Sequence, residues 1–233
     1  MERKIDLKVS VSSQLYRDVL GKIRKKLNKN AGIPWMKYKE IDILEETIRN
    51  LEPKKCLEWG AGFSTVTFPG WLTGDYSWHS IEHDLDWAER MNLLNINKRV
   101  FIDHVAADSD PPYEDEHQDG SYKDFKNYIE KPKELGINDF ILIDGRARKY
   151  CVKRSYDLLS EYGVVVLHDA NREHYYDYFH LFKHQCLFTD YLNMERGLWI
   201  ASKERPIESL INIAKFQRNW RIHYKLGIFF RKK

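Results

Sequence analysis

Apolar residues recur along this chain in two rhythms. In residues 12–28, Leu15, Val19, Ile23 and Leu27 stand four apart, which predicts an amphipathic helix with a basic outer face. Residues 38–51 repeat the spacing with Ile41, Leu44, Ile48 and Leu51, after a break containing Gly32 and Pro34. Both helices are expected to pack against or cap a sheet. Trp35 and Met36, between them, are candidates to line a site, although an aromatic in a helix connector is more often core packing.

From Lys55 the rhythm changes to short continuous apolar runs. Residues 55–59, 78–82, 100–106, 140–143 and 164–167 read as strands, and the stretches after them read as helices. One helix starts at Leu85, one covers 122–135 with an interruption near Pro132, and one covers 151–159, which Gly163 is expected to close. Apolar runs without alternation mark strands buried on both faces, as in a parallel sheet covered by helices on either side. Residues 186–191 and 197–202, joined by a turn at 193–196, predict an antiparallel hairpin at the end of the sheet. The expected fold is therefore α/β, a doubly wound Rossmann-like sheet of about seven strands, mostly parallel. Three regions are expected: N-terminal helices over 1–51, the core over 52–202 and a basic aromatic helix or tail over 203–233.

The chain's 233 residues suit one such domain with appendages. No apolar stretch approaches the roughly 20 residues needed to span a bilayer. The first residues lack the apolar core of a secretory signal, so a cytoplasmic location is expected. Three scattered cysteines fit reduced thiols rather than a disulfide framework. The net charge of +3 hides an asymmetry: residues 1–30 hold nine Lys/Arg against three acids, and residues 203–233 hold nine against two. An acidic body with basic ends suggests contact with an anionic membrane surface or glycan, with nucleic acid as the weaker alternative, or docking on the chain's own acidic face. The 210–233 stretch, mixing aromatics with Lys/Arg, suits an interfacial helix or a homodimer contact equally.

Candidate chemistry centres on Glu58-Trp59-Gly60-Ala61-Gly62-Phe63-Ser64-Thr65. Gly60 and Gly62 permit torsions and a close ligand approach that a Cβ would block, and a helix starting near Ser64 and Thr65 offers N–H groups to an anion. The dinucleotide pattern G-x-G-x-x-G is incomplete, because Thr65 stands where the third glycine belongs. The second strand ends in Glu82-His83-Asp84, where an acidic residue is placed to accept hydrogen bonds from two ribose hydroxyls. Asp108 ends the third strand. Residues 108–120, acidic and proline-rich, read as a long loop, either a lid or a surface excursion. The fourth and fifth strands end in Asp144-Gly145-Arg146 and His168-Asp169-Ala170-Asn171-Arg172. Polar groups thus end all five strands where open α/β sheets bind their ligands. The aromatic stretch 174–180 is expected to form a wall of the substrate pocket or a buried helix face, and Arg148 is expected to face solvent.

On these motifs the chain resembles class I S-adenosylmethionine-dependent methyltransferases from Trp35 to about Ser202, and within them the small-molecule and sugar O-methyltransferase branches. The resemblance implies cofactor contacts from Glu58, Gly60 and Gly62 around the methionine part, Glu82 on the ribose and Asp108 near the adenine, with Ala61, Ser64, Thr65 and His83 beside them. It implies a hydroxyl acceptor on a small molecule or sugar. Asp144 or His168 could act as base, Asp169 could orient the imidazole, and Arg146 could hold an anionic group. The metal-dependent branch suggests a rival arrangement in which Asp144, Asp169 and Asn171 bind a divalent cation. An RNA methyltransferase and a non-catalytic nucleotide-binding domain are the alternatives.

Overall fold

A computed structural model describes residues 4–28, 32–110, 119–193 and 196–231. Seven strands form one sheet in the order β3-β2-β1-β4-β5-β7-β6. They are β1 (Lys55–Trp59), β2 (Ser77–Glu82), β3 (Val100–His104), β4 (Asn138–Ile143), β5 (Leu159–His168), β6 (His184–Phe188) and β7 (Leu198–Ser202). The first five pair in parallel, and β7 lies antiparallel between β5 and β6. The helices are α1 (Val11–Leu27), α2 (Tyr38–Leu51), α3 (Phe63–Thr67), α4 (Leu85–Leu94), α5 (Lys126–Glu130), α6 (Arg148–Leu158) and α7 (Ile213–Arg231). A 3₁₀ turn, Lys131–Leu135, follows α5 with Pro132 near its start, where the sequence predicts an interruption.

The continuous apolar runs form two cores, one on each face of the sheet. Cys56, Phe140, Leu142, Val164, Val166 and Ile200 point to one side, where α2 contributes Ile41, Leu44 and Ile48, and α7 contributes Phe216 and Trp220. Their neighbours Leu57, Trp59, Ile141, Ile143, Val165, Leu167 and Trp199 point to the other, against Tyr128, Cys151 and Val152 of α5 and α6. Alternate side chains of a strand face opposite ways, so a strand buried on both faces must be apolar throughout. The basic C-terminal stretch thus docks on the chain's own body, with Lys215 paired to Asp6 and Glu46. No helix among the described residues is long and apolar enough to cross a membrane.

The structure corrects several expectations. The stripe of α1 faces outward: Leu15, Val19, Ile23 and Leu27 are exposed, the last at 82%. The helix docks through its other face, where Gln14 donates to Asp42 (2.7 Å) and Arg17 donates to both carboxylate oxygens of Asp42 (2.8 and 2.7 Å). His223 of α7 closes this polar seam on Gln14 (2.8 Å). Gly163 does not close a helix. It lies within β5 beside a register slip between Asn138 and Phe140, and a Cβ there would meet the Asp139 carbonyl at 2.8 Å. A glycine inside a strand marks such a close approach. The aromatics of 174–180 lie in a 3₁₀ helix, Glu173–Leu181, with Tyr175 buried and Phe179 stacked on Trp199 (4.0 Å between centroids). Tyr175 and Phe179 are core, His174, Tyr176 and Tyr178 are half-buried, His180 is exposed, and none of them lines the cleft described below. The central part of the expected lid, residues 111–118, and residues 194–195 of the expected turn lie outside the described residues.

Candidate active site

At the end of β1 the chain turns sharply. Gly60 takes a left-handed φ of +94°, and its N–H donates to the Ile81 carbonyl (2.8 Å). A Cβ on Gly60 would stand 2.5 Å from Gly145, in the loop after β4, so the two loops touch backbone to backbone. Glu58 holds this turn from below. Its fully buried carboxylate accepts from Ser64, Thr65 (2.7 Å), Ser80 (2.7 Å) and the Trp78 indole (2.9 Å). Burial pushes its pKa up to about 7, and the four donors only partly oppose the shift. Glu58 and Thr65 therefore shape the turn from inside and do not line the cleft above it. The Gly62 N–H is taken by the Thr65 hydroxyl (2.9 Å).

Glu82, at the end of β2, is almost buried. Its Oε1 accepts the backbone N–H groups of His83 and Asp84 (both 2.9 Å) and lies 2.7 Å from His83 Nδ1. Asp84 caps α4 by accepting from the Trp87 N–H (2.8 Å), and the Trp87 indole donates to the Ala61 carbonyl (2.7 Å), tying α4 to the glycine turn. Trp35, 74% exposed, lies against Trp87 with centroids 5.6 Å apart.

Beyond β4 and β5 lies a charged cluster. His168 Nδ1–H donates to Asp144 (2.9 Å), with Asp169 3.7 Å away, while Nε2 lies 3.6 Å from Glu40 of α2. Burial alone would lower the pKa of His168, yet Asp144, Asp169 and Glu40 outweigh it and hold the ring well above its ordinary value. That direction favours the protonated ring, which the Asp144 and Glu40 carboxylates flank on its two nitrogens. Arg148, at the start of α6, reaches Asp144 (3.3 Å), Asp169 (3.2 Å) and the His168 carbonyl (2.8 Å). Its side chain is only 12% exposed, contrary to the expectation of a solvent-facing one. Burial pushes the Asp169 carboxyl up, but His168, Arg148 and Arg172 together bring it below its ordinary value. Asp169 itself sits at a φ of +57°, a left-handed conformation that Asp tolerates better than most residues.

Asp144, His168 and Asp169 bring one ligand atom each within 4.8 Å of one another. The Arg148 guanidinium already contacts one oxygen of each carboxylate, so a divalent cation at this set would compete with it. Asn171, the third expected ligand, is turned away: its buried amide donates to the carbonyls of Asp190 (3.0 Å) and Asn193 (3.3 Å). Asp108 does not reach the cleft either. Its carboxylate accepts from the Asn127 side chain and the Asn127 N–H (2.8 Å), at the start of α5.

The cleft has two lobes. A cavity of about 630 Å³ lies over the glycine turn, lined by Gly60, Ala61, Gly62, Ser64, Glu82, His83, Asp144 and Arg146 among others. A second, of about 220 Å³, is walled by α1 and the 33–40 segment. Trp35, His168 and Asp169 line both. The structure thus brings together ten of the predicted catalytic and cofactor residues with Trp35 and Met36, and adds Arg148, Trp87, Glu40, Lys25 and Lys37. Arg148, four residues after Asp144 and the first residue of α6, was the one with a legible signal, an i,i+4 charge pair.

No family model and no curated protein matches the sequence. Solved structures do match in fold. A methyltransferase-like protein from Silicibacter pomeroyi is 17% identical, with 81% of this chain and 96% of that chain covered, at a TM-score of 0.52. An O-methyltransferase from Bacillus cereus, in complex with S-adenosylhomocysteine (SAH), is 12% identical, with 83% and 100% covered, at 0.57. TomG from Streptomyces achromogenes, an O-methyltransferase of tomaymycin synthesis in complex with S-adenosylmethionine (SAM), is 13% identical, with 82% and 95% covered, at 0.54. The chain has the class I methyltransferase fold.

Proposed function

We propose that this chain transfers a methyl group from SAM to a hydroxyl of a small molecule, with a sugar or glycan intermediate favoured. One observation carries the reading. Glu82 and the charged ends of β4 and β5 line a single cavity above a turn that only glycine can make. The cavity falls within the roughly 300–1,000 Å³ of small-molecule sites. Gly60 and Gly62 leave room for the methionine part, and the remaining acceptor capacity of Glu82 suits two ribose hydroxyls. His83 and Trp87 stand beside Glu82 on the side left for the base.

SAM supplies an electrophilic methyl on a sulfonium. The protein holds the acceptor oxygen close and in line, and removes its proton as the bond forms. With His168 held between Asp144 and Glu40, the acceptor's proton goes to a carboxylate, and His168 and Arg148 keep the carboxylates of Asp144 and Asp169 in place. The basic ends offer a further contact with an anionic membrane surface or glycan, and a homodimer remains part of the proposal.

The test is calorimetric titration with SAH, SAM and NAD, with and without Mg²⁺. Binding of SAH and not NAD, indifferent to Mg²⁺, is the expected result, followed by methyl transfer to hydroxylated acceptors. Tighter binding of NAD, or no binding at all, would sink the reading. SAH binding with no transfer to any acceptor would leave a non-catalytic nucleotide-binding domain.

A further inference from the structure

The smaller lobe holds a buried carboxylate with an unfilled position. Glu40 is 1% exposed. Its Oε2 accepts the Lys37 N–H (2.7 Å) and lies near His168, but Oε1 has no hydrogen-bond partner among the described residues, in a side chain that lines the lobe. Buried polar atoms are rarely left so, and a bound hydroxyl would supply the missing donor.

The surrounding charge is cationic. Lys22, Lys25, Lys37 and Arg196 line the lobe together with Asp18, Glu40 and Asp169. Asp169 is held by Arg148 and Glu40 faces His168, which leaves Asp18 as the acid nearest the lysines. Asp18 pairs with Lys37 at 3.8 Å and accepts the Tyr38 N–H (3.0 Å). Lys25 has a neutral partner, the Pro34 carbonyl (2.9 Å). Burial and then repulsion from Lys37 lower its pKa, with Asp18 opposing. Two ammonium groups that repel each other at the edge of a small cavity are both relieved by an anion. Ile33, Trp35 and Met36 add apolar wall, which suits the body of a small ring.

Resting on the methyl-transfer reading, we propose that the smaller lobe takes a small hydroxylated acceptor bearing an anionic group, its hydroxyl donated to Glu40 Oε1 and its anion held by Lys25 and Lys37. Glu40 is then the group nearest to receive the hydroxyl proton when the methyl–oxygen bond forms and the methyl–sulfur bond breaks.

Matched pairs test this by calorimetry, each titrated with and without saturating SAH: glucose 6-phosphate against glucose, glucuronate against glucose, and 3-hydroxybenzoate against phenol. At least one anionic member is expected to bind about tenfold or more tightly than its neutral counterpart, as a charge-assisted contact implies. The ranking of phosphate and carboxylate identifies the anion. Lys25→Ala and Lys37→Ala should each remove most of that preference, and added salt should weaken it. Glu40→Gln should weaken the hydroxylated acid relative to benzoate, its counterpart without the hydroxyl. No anionic member binding better than its neutral partner, or a preference unchanged in both lysine variants, overturns the proposal. Because each pair is also titrated without SAH, failure of SAH to bind counts against methyl transfer alone, while SAH binding without anion preference counts against this inference alone.

Discussion

The two lobes of the cleft are built by different means. The larger rests on main chain: Gly60 pressed on Gly145, backbone N–H groups fixed on Glu82, and a tryptophan tied to the Ala61 carbonyl. The smaller is walled by side chains brought from α1, from the 33–40 segment and from Arg196. A backbone-built lobe has one shape and suits a ligand that does not vary. A lobe walled by side chains can be re-specified without moving the sheet, which suits the acceptor.

The largest effect should come where backbone touches backbone. Gly60→Ala puts a Cβ 2.5 Å from Gly145 at a φ of +94°, whereas Gly62 is extended and its nearest neighbour would be the Ser64 hydroxyl at 3.7 Å. Denaturant unfolding should show a loss of about 3 kcal/mol or more for Gly60→Ala and within about 1 kcal/mol for Gly62→Ala. Equal losses would break the comparison.

Next comes the charge network shared by both lobes. Arg148→Met leaves Asp144 and Asp169 without their guanidinium and should cost about 3 kcal/mol at neutral pH. The Asp169 pKa is lowered in the folded state, so its stabilisation is present above the ordinary carboxylate value and is lost as pH falls through the folded one. The deficit of the variant should therefore shrink in acid, read from urea midpoints across pH.

Glu58 has the opposite sign. Its folded pKa is raised to about 7, so its stabilisation is full below the unfolded value and is lost as pH rises through about 7. The wild-type protein should lose on the order of 2 kcal/mol between pH 5 and 8 through this group, and Glu58→Gln should flatten that slope. Smaller still, Glu82→Gln should weaken SAH binding about tenfold by calorimetry while leaving the anion preference of the smaller lobe intact. At the bottom, Ile23→Ser on the outer face of α1 should change stability by less than about 0.5 kcal/mol.

Much of the architecture was legible because it depends on neighbours in sequence. Unbroken apolar runs read as strands with two covered faces, and Gly60 read as a turn because no other residue fits its torsion. The failures share a cause. Periodicity reveals that α1 is amphipathic but not which face docks, and the polar face won because Gln14 and Arg17 find Asp42, 28 and 25 residues away. Gly163 read as a helix end because a glycine beside a backbone carbonyl looks the same in sequence as one at a cap. Glu40 carries no local signal at all beyond a good helix start, and its role comes from His168, 128 positions further on.

By itself the sequence determined the strand and helix order, the glycine turn and the polar strand ends that a parallel sheet must gather along one edge, since local periodicity and backbone torsion are properties of adjacent residues. Tertiary structure alone decided that Glu58 and Asn171 turn inward, that Arg148 stands between Asp144 and Asp169, that His168 lies between Asp144 and Glu40, and that Glu40 and two lysines of the N-terminal region complete a second lobe. Charge state and side-chain direction depend on groups far apart in the chain, and only packing brings those groups within reach.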